Sequence, residues 1–202
     1  MPAPPTTTHL DIPGYDYGDH SLPRSPVSLE ELRSLERAVG LTQEDEEWLK
    51  SAGEILAPHA ERIVDSWRAV IGSQPELAQV FFRPDGHPDD AYRAAVKKRF
   101  VQWIADACKR PHDRAWLDYQ EEIGKRHTPV KKNQTDHAQT PPVVPLRYLI
   151  AFTAVTSTTI RDFLEGNGRD PEDVLKMQDA WIKSMLLHLA LWARSYVAEC
   201  LW

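Results

Sequence analysis

The stretch EIGKRHTPVKKNQTD, residues 122–136, carries an imidazole to the end of a helical pattern and then stops the helix. Trp116, Tyr119, Ile123 and His127 follow at steps of three, four and four, which puts all four on one apolar, inward side. Thr128-Pro129 ends the helix there, so His127 falls in its last turn, where the macrodipole favours a cation. An inward imidazole must satisfy its nitrogens, and two chemistries do so: hydrogen bonding to backbone, or ligation of a metal. Periodicity alone does not choose between them. Of the seven other histidines, His9, His20, His87 and His137 fall in loops, and His59 and His112 lie near helix starts. His188, inside the apolar LLHLALW, is the rival; it reads as a satisfied core or interface histidine.

The elements that must position these residues are helices. Residues 1–27, rich in proline, threonine and glycine, form an irregular extension, and the pair Tyr15 and Tyr17 predicts that part of it docks on the body. Ser28-Leu-Glu-Glu31 and Thr42-Gln-Glu-Asp45 have capping-box form, so helices begin after each. Pro58 suits the first turn of a third helix with Ala60, Ile63, Trp67 and Val70 or Ile71 on one side. A short segment, PELAQVFF, precedes the turn-rich loop RPDGHPDD. A long helix from about Asp90 to Cys108 carries the stripe Tyr92, Val96, Phe100, Trp103, Ala107, and the His127 helix begins near Asp113. After a polar, proline-rich loop, two long helices span about 146–164 and 171–196, the second with Asp170 as cap and Pro171 in its first turn. No run alternates with period two, and no repeat of solenoid length is present, so the fold class is all-α.

Composition excludes several functions. A net charge of −6 with pI near 5.7 argues against a nucleic-acid binder. The most apolar window, MLLHLALWA, is too short to span a bilayer, and the N-terminus lacks a secretory signal. Cys108 and Cys200 stand in no metal-ligand or disulfide spacing, as expected of free thiols in a reducing, cytoplasmic compartment. Seven tryptophans in 202 residues demand large aromatic surfaces in a core, around a flat ligand or at an interface.

Beyond this point the chain resembles the protoglobins, single-domain relatives of the haem domains of globin-coupled sensors. The likeness rests on IPGYDYG, EDEEWLKSAGEIL, AAVKKRFVQWI, AWLDYQEEIGKRH, KKNQTD, PLRYLIAF and FLEGNGRDPEDVLKMQDAWIKS, in order and at family-like spacing. It implies a three-over-three globin sandwich over residues 28–202, with an extra N-terminal helix and the extension 1–27. It also implies haem b (iron protoporphyrin IX), with His127 as the proximal ligand to iron. By the same resemblance Val96 and Phe100 face the iron's free site, Trp67 flanks it, Phe152 and Thr156 line it, and Ile123 lies on the haem side of the His127 helix. Arg99 is the implied partner of a haem propionate, ahead of Lys97, Lys98 and Arg126.

The chain departs from the family pattern at Arg68, where a tyrosine able to hydrogen-bond O₂ is common, and at Thr156, where a bulkier aliphatic is common. Two readings of Arg68 follow: outward to solvent or a haem propionate, which desolvation favours, or inward, polarising a bound ligand or anion. Thr128 replaces a second histidine often found after the proximal one. Trp181, Met185, Leu186, Leu189 and Trp192 extend around the last helix, which predicts a homodimer packed through the two C-terminal helices, as the resemblance also implies. The expected function is binding of O₂, CO or NO at a five-coordinate haem iron. The alternatives are a gas sensor acting through a partner, a haem enzyme acting on NO, nitrite, peroxide or carbene precursors, and a haem-free helical interaction domain.

Overall fold

Ser28 and Thr42 each close a capping box in the computed structural model, which describes residues 12–166, 168–198 and 202. His9 and Cys200, and the extension's first eleven residues, lie outside those described. From these caps run α1 (Leu29–Ala38) and α2 (Gln43–Leu56). Pro58 lies in a 3₁₀ turn that leads into α3 (Ala60–Ser73), followed by the one-turn α4 (Pro75–Ala78). The loop after it is pinched by a single bridge between Phe82 and Pro88, and no β-strand occurs among the described residues. Next come α5 (Asp90–Lys109), α6 (Arg114–Lys125), α7 (Leu146–Thr158), α8 (Ile160–Glu165) and α9 (Pro171–Ala193).

Three boundaries differ from the sequence expectation, the last being that of α9, which gives way at Ala193 to a 3₁₀ turn over Arg194–Tyr196. The helix expected over 146–164 is interrupted at Thr159 and becomes α7 and α8. The cause is a hydroxyl run: Thr156, Thr158 and Thr159 each donate to a carbonyl three or four residues back, which bends a helix. The α6 helix ends at Lys125 rather than at His127, whose N–H donates to Gly124 O in a tightened turn.

Helix α9 packs along α2, α7, α6 and α8, while α5 packs against α2 and α3. The main core lies between these layers, with Leu49, Leu56, Ile63, Trp67, Ile104 and Trp181 among its buried members. A smaller cluster of Leu32, Trp116, Leu117, Leu187 and Leu191 seats α1 and α6 on the second half of α9. Trp181 and Met185 are therefore core residues of one subunit. The apolar breadth of α9 is used mostly inside the molecule, because the helix is contacted from several sides.

The extension docks as Tyr15 and Tyr17 predicted. The Tyr15 hydroxyl is 2.6 Å from Asp106 Oδ2, and both Tyr15 and Tyr17 meet Tyr119 edge-on. Gly14, at φ +70°, passes so close to α5 that a Cβ would meet Arg99 at 2.7 Å and Thr135 at 2.6 Å. Only glycine fits that crossing.

Candidate functional site

A cavity of about 230 Å³ opens between α5, α6, α7 and α9, and His127 is the one histidine among its described lining residues. Helix α5 contributes one face to it: Tyr92, Val96, Arg99, Phe100 and Trp103. Tyr119, Ile123, Arg126 and His127 enter from α6 and the turn after it, and Tyr148, Leu149, Phe152, Thr153 and Thr156 from α7. Helix α9 closes it with Met185, Leu189 and Trp192.

His127 is aimed by three sets of contacts. Its Nδ1 is 2.8 Å from Ile123 O. A carbonyl can only accept, so Nδ1 carries the hydrogen and Nε2 presents its lone pair. The backbone carbonyl of His127 accepts from Val144 N–H at 2.8 Å and from the Tyr196 hydroxyl at 3.2 Å. The imidazole stacks on Trp192, centroids 5.6 Å apart. Nε2 has no hydrogen-bond partner among the described residues, and it is not among the sealed, unpartnered atoms, so it stays open to the cavity that the ring lines. Desolvation pulls the imidazole down to about 4, so it is neutral near pH 7 and able to donate a lone pair.

His188 shares the first of these features and lacks the last. Its Nδ1 donates to Ser184 O at 2.7 Å, but Nε2 is sealed without a partner amid Trp103, Trp116 and Trp192, away from the cavity. Burial pulls it down to about 3.

The cavity has a polar edge. Arg99 makes a two-pronged contact with Asp136, at 2.6 and 2.9 Å, and also donates to Pro13 O. Arg126 pairs with Glu122 at 2.7 Å and Asp16 at 2.5 Å, and donates to Gly14 O. Both arginines thus join the cavity to the extension. Lys132 of KKNQTD is almost fully buried, donates to Val80 O and Thr140 Oγ1, and is pulled down to about 8 by desolvation.

The structure gathers Val96, Arg99, Phe100, Ile123, His127, Phe152 and Thr156 at one cavity. It does not bring Trp67 or Arg68 to that wall. Trp67 is fully buried behind Phe100, ring centroids 5.2 Å apart, with its Nε1 hydrogen-bonded to Thr159 Oγ1. Arg68 lies on a second cavity next door, with its side chain 28% exposed. Several lining residues escaped the sequence reading. Leu189 and Trp192 were legible as an apolar stripe but assigned to a partner surface, while Tyr148 and Leu149 carry no signal beyond helix periodicity.

Comparison with known proteins agrees with this architecture. The model of the Protoglobin family matches residues 28–201, and no curated protein matches. Among 27 matching chains of known structure is the globin domain of a Geobacter sulfurreducens globin-coupled sensor. It is 19% identical, with a TM-score of 0.65 over 82% of this chain and 97% of its own. At that identity the likeness speaks for the fold, a globin. The family match runs unbroken from the cap of α1 past the end of α9, His127 and its cavity included, and the chain belongs to the protoglobin family.

Proposed function

We propose that this protein is a haem globin that binds O₂, CO or NO, with haem b in the α5–α6–α7–α9 cavity and His127 Nε2 as the protein's single iron ligand. The observation that carries the reading is the imidazole itself: Nδ1–H committed to Ile123 O, Nε2 free, in a cavity of mostly apolar walls with a cationic edge. Those residues fit the group, which needs one neutral imidazole, apolar walls for the macrocycle and cations for two carboxylates. Bound there, haem would supply an iron able to take up a gas ligand. The protein residues do the rest. The Ile123 carbonyl fixes the tautomer, and Val144 and Tyr196 hold the backbone that aims the ring. Phe100, Val96 and Phe152 exclude water. Arg99 and Arg126 stand where carboxylates can replace Asp136 and Asp16 as partners.

Residues 28–202 form the globin domain in this reading, with 1–27 as an extension whose described part, through Pro13, Gly14 and Asp16, meets the arginines of the cavity's polar edge. No helix among the described residues is long and apolar enough to cross a membrane, in keeping with the proposed cytoplasmic location. A second copy is proposed to pack on the outer faces of α7 and α9. Haemin titration tests the central claim. The wild-type chain should take up one equivalent and develop a Soret band that His127→Ala loses and His188→Leu keeps. A chain that folds and stays colourless, or that holds iron equally well without His127, overturns it.

A further inference from the structure

A second cavity, of about 190 Å³, adjoins the first: Ile71, Phe81, Val96 and Phe100 line both. Its walls are otherwise mostly apolar, but two guanidiniums, Arg68 from α3 and Arg93 from α5, also line it. Neither is fully engaged. The nearest carboxylate to Arg68 is Asp65, at 4.0 Å, and both oxygens of Asp65 are already taken by Lys97, at 2.7 and 3.0 Å. Arg93 makes one contact of 3.0 Å with Asp90, whose side chain is 82% exposed. An exposed pair of that kind holds little energy and leaves most donors free. Arg68 and Arg93 are the only charged residues among the described residues that line this cavity, in a chain of net charge −6. The volume is several times the roughly 30 Å³ of one water, enough for an ion of two or three heavy atoms. Guanidinium is the side chain suited to such an ion, since it stays charged and offers several donors in one plane.

We propose that Arg68 and Arg93 form a binding site for a small inorganic monoanion of the nitrite or azide type, held against the wall shared with the gas pocket. The site makes anions, beside neutral gases, ligands of this protein; it rests on the reading of the neighbouring cavity as the haem pocket. It also gives Arg68 a role in which its charge stays partly wet rather than buried among apolar side chains.

The test uses the haem-loaded protein, with azide association to the ferric form measured against CO association to the ferrous form. In the double variant Arg68→Gln/Arg93→Gln, the ratio of azide to CO association rates should fall about tenfold, and the wild-type decline of azide association with added salt should flatten. Arg93→Gln alone, at an exposed ion pair, should give part of that fall and serves if the double variant folds poorly. A ratio within about twofold of wild type in every variant overturns the proposal, since steering by two charges exceeds that. If the chain binds no haem, chloride-35 line broadening by the haem-free protein still decides the anion site: broadening lost in the variant supports it, and equal broadening in both overturns it.

Discussion

At the scale of single residues the two inward histidines are a natural pair. Both donate Nδ1–H to the carbonyl four residues earlier, and both are held neutral by burial. They differ in what surrounds Nε2: a cavity for His127, three indole rings for His188. The sealed one makes a prediction about acid. With His188 at about 3 in the folded protein and 6.5 in the unfolded chain, unfolding takes up a proton below pH 6.5 that the native state refuses. Its contribution is complete above pH 6.5 and is lost as pH falls towards 3, at a slope of at most about 1.4 kcal/mol per pH unit. Denaturant titrations of haem-free His188→Leu between pH 7 and pH 4.5 should therefore show a shallower loss than the parent; parallel curves would refute the assignment. A second prediction concerns the pocket's polarity. Thr156 is buried, and its hydroxyl donates to Thr153 O at 3.0 Å, so it has no proton to spare for a bound gas. Thr156→Val should change O₂ dissociation by less than about threefold, because the hydrogen bond it removes runs to Thr153 O and not to the gas. Both histidines were visible as inward-facing from spacing alone. Which one keeps an open nitrogen was not, because that depends on Trp103 of α5 and Trp116 of α6 meeting His188 and its neighbour Trp192 on α9.

Among the elements, starts were more legible than stops. Ser28, Thr42, Asp113 and Asp170 cap the helices their spacing predicts, since a cap is a local bond between a side chain and a backbone N–H two or three residues on. The interruption at Thr159 and the early end of α6 answer to several weak terms at once, and periodicity is blind to them. The end of α6 matters most for the site. Gly124 lies against the close of α9: a Cβ there would come within 3.2 Å of Trp192 Cα and 2.8 Å of Ser195 Oγ. A backbone atom cannot rotate away, so Gly124→Ala has to push α6 off α9 at the residue whose carbonyl holds the His127 N–H. Destabilisation of about 1–3 kcal/mol is expected, with faster haem loss to apomyoglobin than the parent shows. Unchanged thermal stability and haem retention would mean that the crossing is looser than it stands here.

For the whole molecule the outer faces of α7 and α9 stand out as apolar and exposed. Ile150 is 54% exposed, Leu175 48% and Leu186 44%, and Ala151 and Ala154 are exposed beside them. The two helices pack directly on one another, so these residues belong to neighbouring outer faces. Most of the residues from which the sequence reading inferred a partner face are not exposed. Trp181, Met185, Leu189 and Trp192 turn inward, to the core or the cavity, and of that set only Leu186 is exposed. Small alanines on α7 let a second helix approach closely, and an apolar face of this kind is self-complementary across a twofold axis. A stable dimer would need to hide about 800 Å² on each subunit. Ile150→Asp with Leu186→Asp leaves the core and the His127 cavity untouched, because neither residue belongs to either. Sedimentation velocity should find the parent near twice the 23.1 kDa chain mass and the double variant near once, with the same Soret spectrum in both. A parent that sediments as a monomer at all concentrations, or a dimer indifferent to the two aspartates, would move the interface elsewhere or remove it.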